Sequence, residues 1–204
     1  MRLNIGSERL IALTDGVVAV IITIMVLELK PPHGADFASL RDLGPTFLSF
    51  ALSFVYVAIY WNNHHHFFRL VPHVRASIMW ANLNLLFWLS LIPFATAWMD
   101  EHGGAPVPVA LYGAVLLLCA VSWRIMQGAI VRAQGSDSPL SAAIRGDVKG
   151  VASVVIYAMA IALAFVAPIL AYACYAAVAA WWLIPDRRVE KALPSDRQAG
   201  NLSH

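Results

Sequence analysis

Few side chains in this 204-residue sequence can do chemistry, and most of them lie within or at the ends of long apolar segments. Asp15 lies in the first apolar segment, about one and a half helical turns from its beginning. His64 closes the second segment, and Asn82 and Asn84 follow in the third. If these segments cross a membrane, an ionisable group inside them is costly. Asp15 and His64 are therefore candidates for proton transfer or for a buried hydrogen-bonded cluster.

The composition shows which kind of element positions these residues. Hydrophobic residues make up 60% of the chain and charged residues only 13%, whereas a soluble domain carries about a quarter charged residues. This balance excludes an intrinsically disordered chain and argues strongly against a soluble enzyme. The formal net charge of +2 gives no basis for nucleic-acid binding. We therefore predict an all-α membrane protein.

Six apolar segments are long enough to cross a hydrocarbon core about 30 Å thick. Residues 1–184 are expected to form a six-helix membrane domain, and residues 185–204 a polar cytoplasmic tail. Proline at the Ala167-Pro168 junction separates the fifth segment from the sixth. The predicted spans are 10–29, 43–63, 76–98, 107–127, 148–166 and 167–184.

The basic residues predict how these spans are oriented. Of the 14 Lys and Arg residues, only Lys30 and Arg41 fall on one side of the predicted membrane. The others are in the terminal segments and in the loops after the second and fourth spans. Cytoplasmic loops are enriched in Lys and Arg, so both termini are predicted to be cytoplasmic.

This orientation brings distant polar residues to a similar depth at the cytoplasmic ends of the first three spans. A hydrogen-bonded cluster that clamps the first helix is the favoured interpretation, because buried polar networks specify packing more often than they perform chemistry. Proton handling by Asp15 or His64 is the alternative. The residues at this depth are Arg9, Thr14, Asp15, Trp61, His64, His65, Asn82 and Asn84.

The run His64-His65-His66 suggests a metal site at first sight. Successive residues on a helix point about 100° apart, so three adjacent imidazoles do not face one ion. The sequence also lacks a nearby Glu or Cys to complete a zinc site. We find no phosphate-binding loop, nucleophile motif or other catalytic constellation. The sequence therefore predicts no enzyme activity, no metal site and no cofactor.

The first span also carries a narrow face at helical spacing. Val20, Thr23 and Leu27 follow an i, i+3, i+7 pattern. If several copies of this helix surrounded an axis, Val20 and Leu27 would form apolar rings and Thr23 a hydroxyl ring between them. Apolar constrictions gate ion flow by dewetting, and hydroxyl oxygens partly replace ion hydration. Small residues on the same helix allow close approach of a neighbour: Ala12, Gly16 and Ala19.

The first helix resembles the signature of the bacterial transmembrane-protein-175 (TMEM175) potassium channels. Members begin this helix with Arg-x-x-x-Phe-Ser-Asp, and the present chain has Arg9-x-x-x-Leu13-Thr14-Asp15. Arg and Asp are kept, Thr14 preserves the hydroxyl, and Leu13 replaces the aromatic ring. The ends of the second and third spans, with Trp61, His64, Asn82 and Asn84, are also similar to family patterns.

The resemblance implies a homotetramer of six-helix subunits whose first helices line a potassium-permeable pore, and the expected location is the inner (plasma) membrane of a bacterial cell. On this basis Val20 is the hydrophobic constriction, Thr23 is the hydroxyl position near which potassium passes, and Leu27 forms a further apolar ring. A passive potassium-selective channel in a lipid bilayer is the leading hypothesis, and a proton pathway or proton-coupled carrier is the alternative. The resemblance further implies a structural network behind the pore: Arg9, Thr14, Asp15, Trp61, His64 and Asn84.

Overall fold

A computed structural model describes residues 5–71, 73–135 and 147–184 of the chain. The described residues form eight helices and one very short strand pair. The predicted tail 185–204 lies outside the described residues. The helices are α1 (Ser7–Leu27), α2 (Phe37–Asp42), α3 (Gly44–Phe68), α4 (Ala76–Leu89), α5 (Ile92–Glu101), α6 (Pro106–Gln134), α7 (Val148–Ala164) and α8 (Pro168–Leu183).

Four apolar segments have the length and composition to cross a membrane. They are α1, α3, the joint segment Ala76–Glu101 formed by α4 and α5, and α6. Helices α7 and α8 are equally apolar but shorter, with 17 and 16 residues. A helix of that length spans about 25 Å, slightly less than a typical hydrocarbon core. The chain is thus a mostly helical, multi-pass membrane protein.

The third predicted span is not one continuous helix. Helix α4 ends at Leu89, and α5 begins at Ile92 with Pro93 in its first turn. Proline has no backbone N–H, and its ring clashes with the carbonyl group four residues earlier, here that of Leu89. This steric conflict explains the interruption at Ser90. Hydropathy alone merged the two helices because both sides of the break are apolar.

Helices α7 and α8 form a hairpin with a proline at its turn. Pro168 lies in the first turn of α8, where its missing N–H removes no helical hydrogen bond. The open end of the hairpin is tied by Lys149, whose Nζ donates to the Ile184 carbonyl oxygen at 2.9 Å. The Trp182 indole N–H also donates to the Ser153 hydroxyl oxygen at 2.9 Å.

Helix α6 lies at the centre of the bundle, and α1 lies at its edge. Helix α6 packs on α4, α5, α7 and α8, whereas α1 packs mainly on α3. In the most apolar 18-residue window of each helix, 61% of α6 is buried but only 28% of α1. Helix α1 therefore leaves most of its surface uncovered within a single chain.

The start of α1 is held by a small departure from an all-α fold. Strand β1 (Ile5–Gly6) pairs antiparallel with β2 (His73–Val74) just before α4. The pairing brings the beginnings of α1 and α4 together at one end of the bundle. Two-residue strands carry no hydropathy pattern, so no sequence signal predicts this pair.

Candidate functional site

Helix α1 carries a buried row of residues that attaches it to the bundle. We call this row the docked stripe, and its positions repeat every three or four residues, as one face of a helix does. Thr14 is the polar member of the row and is 1% exposed. Because the other members are apolar, the stripe packs α1 on the bundle like any amphipathic helix. The docked stripe consists of Leu10, Thr14, Val18, Ile21 and Met25.

A second row of residues on α1, the open stripe, faces away from the bundle. Each member follows a docked-stripe residue by two positions, which is about 200° around the helix. Val20 is 55% exposed and Leu27 81% exposed. The three residues predicted to line a pore, Val20, Thr23 and Leu27, therefore share one uncovered face. The open stripe consists of Ala12, Gly16, Val20, Thr23 and Leu27.

The Thr23 side chain presents an oxygen atom on the open stripe. Its hydroxyl donates to the Val20 carbonyl oxygen at 2.8 Å. Because the hydroxyl hydrogen is used in this bond, the lone pairs of Thr23 Oγ1 remain available as acceptors. An oxygen of this kind can contact a partly dehydrated cation.

Thr14, His64 and Asn82 form a buried network between α1, α3 and α4. His64 Nε2 lies 2.8 Å from Asn82 Oδ1, and Asn82 Nδ2 donates to Thr14 Oγ1 at 3.1 Å. The Thr14 hydroxyl donates in turn to the Leu10 carbonyl oxygen at 3.0 Å. Because Asn82 Oδ1 can only accept a hydrogen bond, His64 Nε2 must carry the proton and donate it. The network satisfies polar groups from three helices and fixes the rotation of α1.

Asp15 is bonded to Trp61 and is separate from that network. The Trp61 indole N–H donates to Asp15 Oδ1 at 2.8 Å, and the Trp61 side chain is exposed. No hydrogen bond joins Asp15 to His64 in the part of the chain that the structure describes. Arg9 is exposed and has no hydrogen bond or ion pair among those residues. The structure thus brings Asp15 and Trp61 together but not Arg9.

Asn84 has a different partner from the one that its depth suggested. Its Nδ2 donates to the Ser122 hydroxyl oxygen on α6 at 2.7 Å. Asn82 and Asn84 are two positions apart and so point in nearly opposite directions from α4. Asn82 consequently faces α1 and α3, whereas Asn84 faces α6. The expected grouping of Asn84 with Thr14 and His64 does not occur in this chain.

A second buried polar cluster joins α3, α5 and α6, and sequence reasoning missed it. Ser53 Oγ lies 2.7 Å from Thr96 Oγ1 and 3.0 Å from the Tyr112 hydroxyl oxygen. The only sequence signal for this cluster is that Ser53, Thr96 and Tyr112 are isolated hydroxyl-bearing residues in apolar helices. Such residues commonly hydrogen-bond their own helix, as Thr96 also does to Ile92. The sequence therefore did not distinguish this interhelical contact from a local one.

Of the three adjacent histidines, His65 and His66 have rings in contact, with centroids 6.0 Å apart, whereas His64 lies in different surroundings. His64 belongs to the buried network and stacks on Phe68, with ring centroids 4.3 Å apart. His65 contacts the ring of Trp61, with centroids 6.3 Å apart. Within the described ranges, no group of three His, Cys, Asp or Glu side chains is placed to hold a metal ion.

The loop after α1 is linked to the end of α5 by an exposed ion pair. Lys30 Nζ lies 2.9 Å from Glu101 Oε1. The hydrogen bond to Glu101 and its negative charge raise the pKa of Lys30 above its ordinary value. In the same loop, Asp36 accepts hydrogen bonds from the side chain and backbone N–H of Ser39, which lower the pKa of Asp36.

Comparison with known proteins places this helix arrangement in a family. The family model described as endosomal/lysosomal potassium channel TMEM175 matches residues 9–93, which include nearly all of α1 and its buried network. A potassium channel of Chryseobacterium sp. (strain P1-3) is 50% identical over 91% of this chain and 96% of its own length. The chain belongs to the TMEM175 family. The resemblance drawn from the first-helix motif is confirmed.

A solved TMEM175 structure has the same fold. The crystal structure of a lysosomal potassium-selective channel TMEM175 homologue from Chamaesiphon minutus superposes with a TM-score of 0.75. The two chains are 28% identical, and the match covers 87% of this chain and 96% of that one. A more distant TMEM175 relative from Homo sapiens is called an endosomal/lysosomal proton channel. It is 22% identical over 61% of this chain and 25% of its own length.

Proposed function

We propose that this protein is a passive potassium-selective channel of the bacterial plasma membrane. Relatives that match nearly the whole chain are named potassium channels. In the proposed assembly each subunit crosses the membrane six times, through α1, α3, the α4–α5 pair, α6, α7 and α8. Four subunits form a homotetramer, and both termini are cytoplasmic, as the distribution of Lys and Arg predicts.

The observation that carries this proposal is the contrast between the two stripes of α1. A helix fixed to its bundle on one side and uncovered on the other is suited to line a shared axis. Ala12 and Gly16 allow neighbouring copies to approach closely at the cytoplasmic half of the helix. Four open stripes around an axis then enclose an ion path.

Val20, Thr23 and Leu27 are the proposed pore-lining residues. Four Val20 side chains form an apolar constriction that gates by dewetting, and Leu27 forms a second apolar ring. Thr23 Oγ1 lies between them with free lone pairs, because its hydrogen is bonded to the Val20 carbonyl oxygen. Valine is shorter than the Leu or Ile expected at this position, so a wider constriction follows.

The buried network is proposed to hold the pore helix and not to conduct protons. Thr14, His64 and Asn82 use their hydrogen bonds on one another and on the Leu10 carbonyl oxygen. Asp15 is bonded to an indole N–H, which can donate a hydrogen bond but cannot accept a proton. Arg9, Trp61 and Asn84 are proposed to support the surrounding packing.

Proton permeation is the second candidate function, because the human relative is called a proton channel. In this alternative Asp15 and His64 act as relay groups between α1 and α3. Asp15→Asn separates the two proposals. A tetramer that assembles normally but loses transport supports a relay, whereas a failure to assemble supports the structural role.

Ion flux through purified protein in liposomes tests the main proposal. Outward gradients of potassium, sodium and a large impermeant cation are compared, with a proton ionophore as the counter-path. We expect potassium flux well above sodium flux. Flux that requires an imposed pH gradient would contradict the passive channel and favour the proton pathway. Cross-linking of the same sample should yield species up to a tetramer.

A further inference from the structure

A groove between α4 and α6 is not used by the proposed ion path. It has a volume of about 520 Å³ and opens on the surface of the chain. Arg75 and Arg132 lie at one end of it, and Trp80 and Ile125 lie further along. A groove with two cationic side chains at one end and apolar side chains beyond them is complementary to a lipid with an anionic headgroup and an apolar chain.

The register of the two helices explains why the arginines meet. Helices α4 and α6 are antiparallel, and the hydrogen bond from Asn84 to Ser122 places those two residues level with each other. Arg75 precedes Asn84 by roughly two and a half turns, and Arg132 follows Ser122 by about the same distance. Both guanidinium groups therefore lie at the end of the groove where β2 leads into α4.

Small side chains make room between the helices. Ala81 on α4 and Ala129 on α6 are buried along the groove, and neither extends beyond its Cβ atom. Trp80, in contrast, is 68% exposed beside them. Exposed tryptophan at the end of a membrane helix is typical of the level of the lipid headgroups.

The two arginines are available to an anion. Arg132 Nε donates to the Gly128 carbonyl oxygen at 3.1 Å, which positions its guanidinium group and leaves its other N–H groups free. The guanidinium group of Arg75 has no hydrogen bond or ion pair within the described ranges, and no described carboxylate lines the groove. A guanidinium fork matches the oxygen atoms of a phosphate group well.

We propose that this groove binds an anionic phospholipid. The phosphate lies between Arg75 and Arg132, and an acyl chain follows Ala81 and Ala129 past Trp80 and Ile125. Basic pockets between membrane helices are known to bind anionic lipid headgroups. A free phosphate ion would use only the arginine end, so the apolar continuation of the groove favours a lipid.

Quenching of Trp80 fluorescence tests this site in the intact protein. The purified channel is placed in bilayers that contain brominated phosphatidylglycerol or brominated phosphatidylcholine. Quenching per lipid should be several-fold stronger with phosphatidylglycerol. Trp80→Phe should remove this excess, which assigns the signal among the seven tryptophans. Arg75→Gln combined with Arg132→Gln should reduce the ratio of the two quenching constants to about one, because the two guanidinium groups supply the positive charge that favours an anionic lipid.

A matched control and two competing outcomes complete the test. Arg69→Gln removes a similar exposed arginine at the end of α3 and should leave the preference unchanged. Ala133→Leu should weaken quenching by both lipids, because it fills the groove without altering charge. Loss of the signal on addition of inorganic phosphate would overturn the proposal in favour of a free-anion site. Equal and negligible quenching by both lipids in the intact tetramer would also overturn it, and would indicate that a second subunit covers the groove.

Discussion

The two faces of α1 differ in the packing partners that a single chain provides for them. The docked stripe has partners on α3 and α4, including the hydrogen bond that Asn82 Nδ2 donates to Thr14 Oγ1. Among the described residues the open stripe has no such partner on another helix, although Val20 and Leu27 are as apolar as the docked residues. The comparison shows that the bundle fixes the position and rotation of α1, while its outer face is left for other copies or for ions.

Two threonines on the same helix illustrate this difference. Thr14 is buried and serves the bundle, whereas Thr23 is exposed and bonded only to its own backbone. The same side chain therefore has a packing role on one face and a proposed ion-contacting role on the other. The location of a residue around the helix axis decides between these roles more than its chemical type does.

The largest effect on stability is expected from Asn82→Leu. Asn82 is fully buried and bonds to both Thr14 and His64. Its loss removes the shorter hydrogen bond of the buried His64 imidazole and leaves only the 3.4 Å contact with Thr14 Oγ1, which costs about 1–3 kcal/mol. A lower melting temperature in detergent, with partial loss of the tetramer, is the expected result. As a control, Asn62→Leu at an exposed position of α3 should change stability by less than about 0.5 kcal/mol. Equal effects of the two variants would mean that the buried network does not hold α1.

A matched pair of threonine variants separates the two faces. Thr14→Val removes the link to Asn82 and should lower stability by about 1 kcal/mol. Thr23→Val should leave the melting temperature nearly unchanged but reduce the ratio of potassium to sodium flux in liposomes. If Thr23→Val instead destabilises the protein and leaves the flux ratio intact, the open stripe is a packing surface.

The smallest effect is expected in the loop after α1, from Lys30→Gln. The ion pair with Glu101 is exposed, and exposed pairs contribute little to stability. Because the pKa of Lys30 is raised by Glu101, its contribution is present below the ordinary lysine pKa of 10.5 and is lost as the pH rises through the higher value. High salt screens an exposed ion pair, so the melting temperatures of the wild type and Lys30→Gln should agree at high salt. A large difference at high salt would show that the loop after α1 contributes to the docking of α1.

Hydropathy and charge predicted the class of this protein, but they did not predict which face of each helix contacts which neighbour. Long apolar segments are sufficient to predict a helical membrane protein, and the Arg9-x-x-x-Leu13-Thr14-Asp15 motif predicted the family correctly. The number of crossings and the tetramer remain predictions. Depth in the membrane grouped Asn82 with Asn84, but the rotation of α4 sends one to Thr14 and the other to Ser122.

Other features depend on contacts that no local pattern reveals. The break after Leu89 follows from Pro93, yet a proline is also tolerated inside many membrane helices. The bond from Ser53 to Tyr112 joins helices that are distant in sequence. Only the packing of three helices determines it, so single-sequence reasoning had no means of finding it.

The most direct test of the central claim compares two valines on α1. Val20 belongs to the open stripe, and Val26 is similarly exposed, at 49%, but lies about 120° around the helix from Val20. Val20→Asn should raise cation flux in liposomes several-fold or reduce the preference for potassium, because a polar side chain hydrates the constriction. Val26→Asn should leave both quantities unchanged. Unaltered flux in a correctly assembled Val20→Asn tetramer would contradict the assignment of the open stripe to the pore.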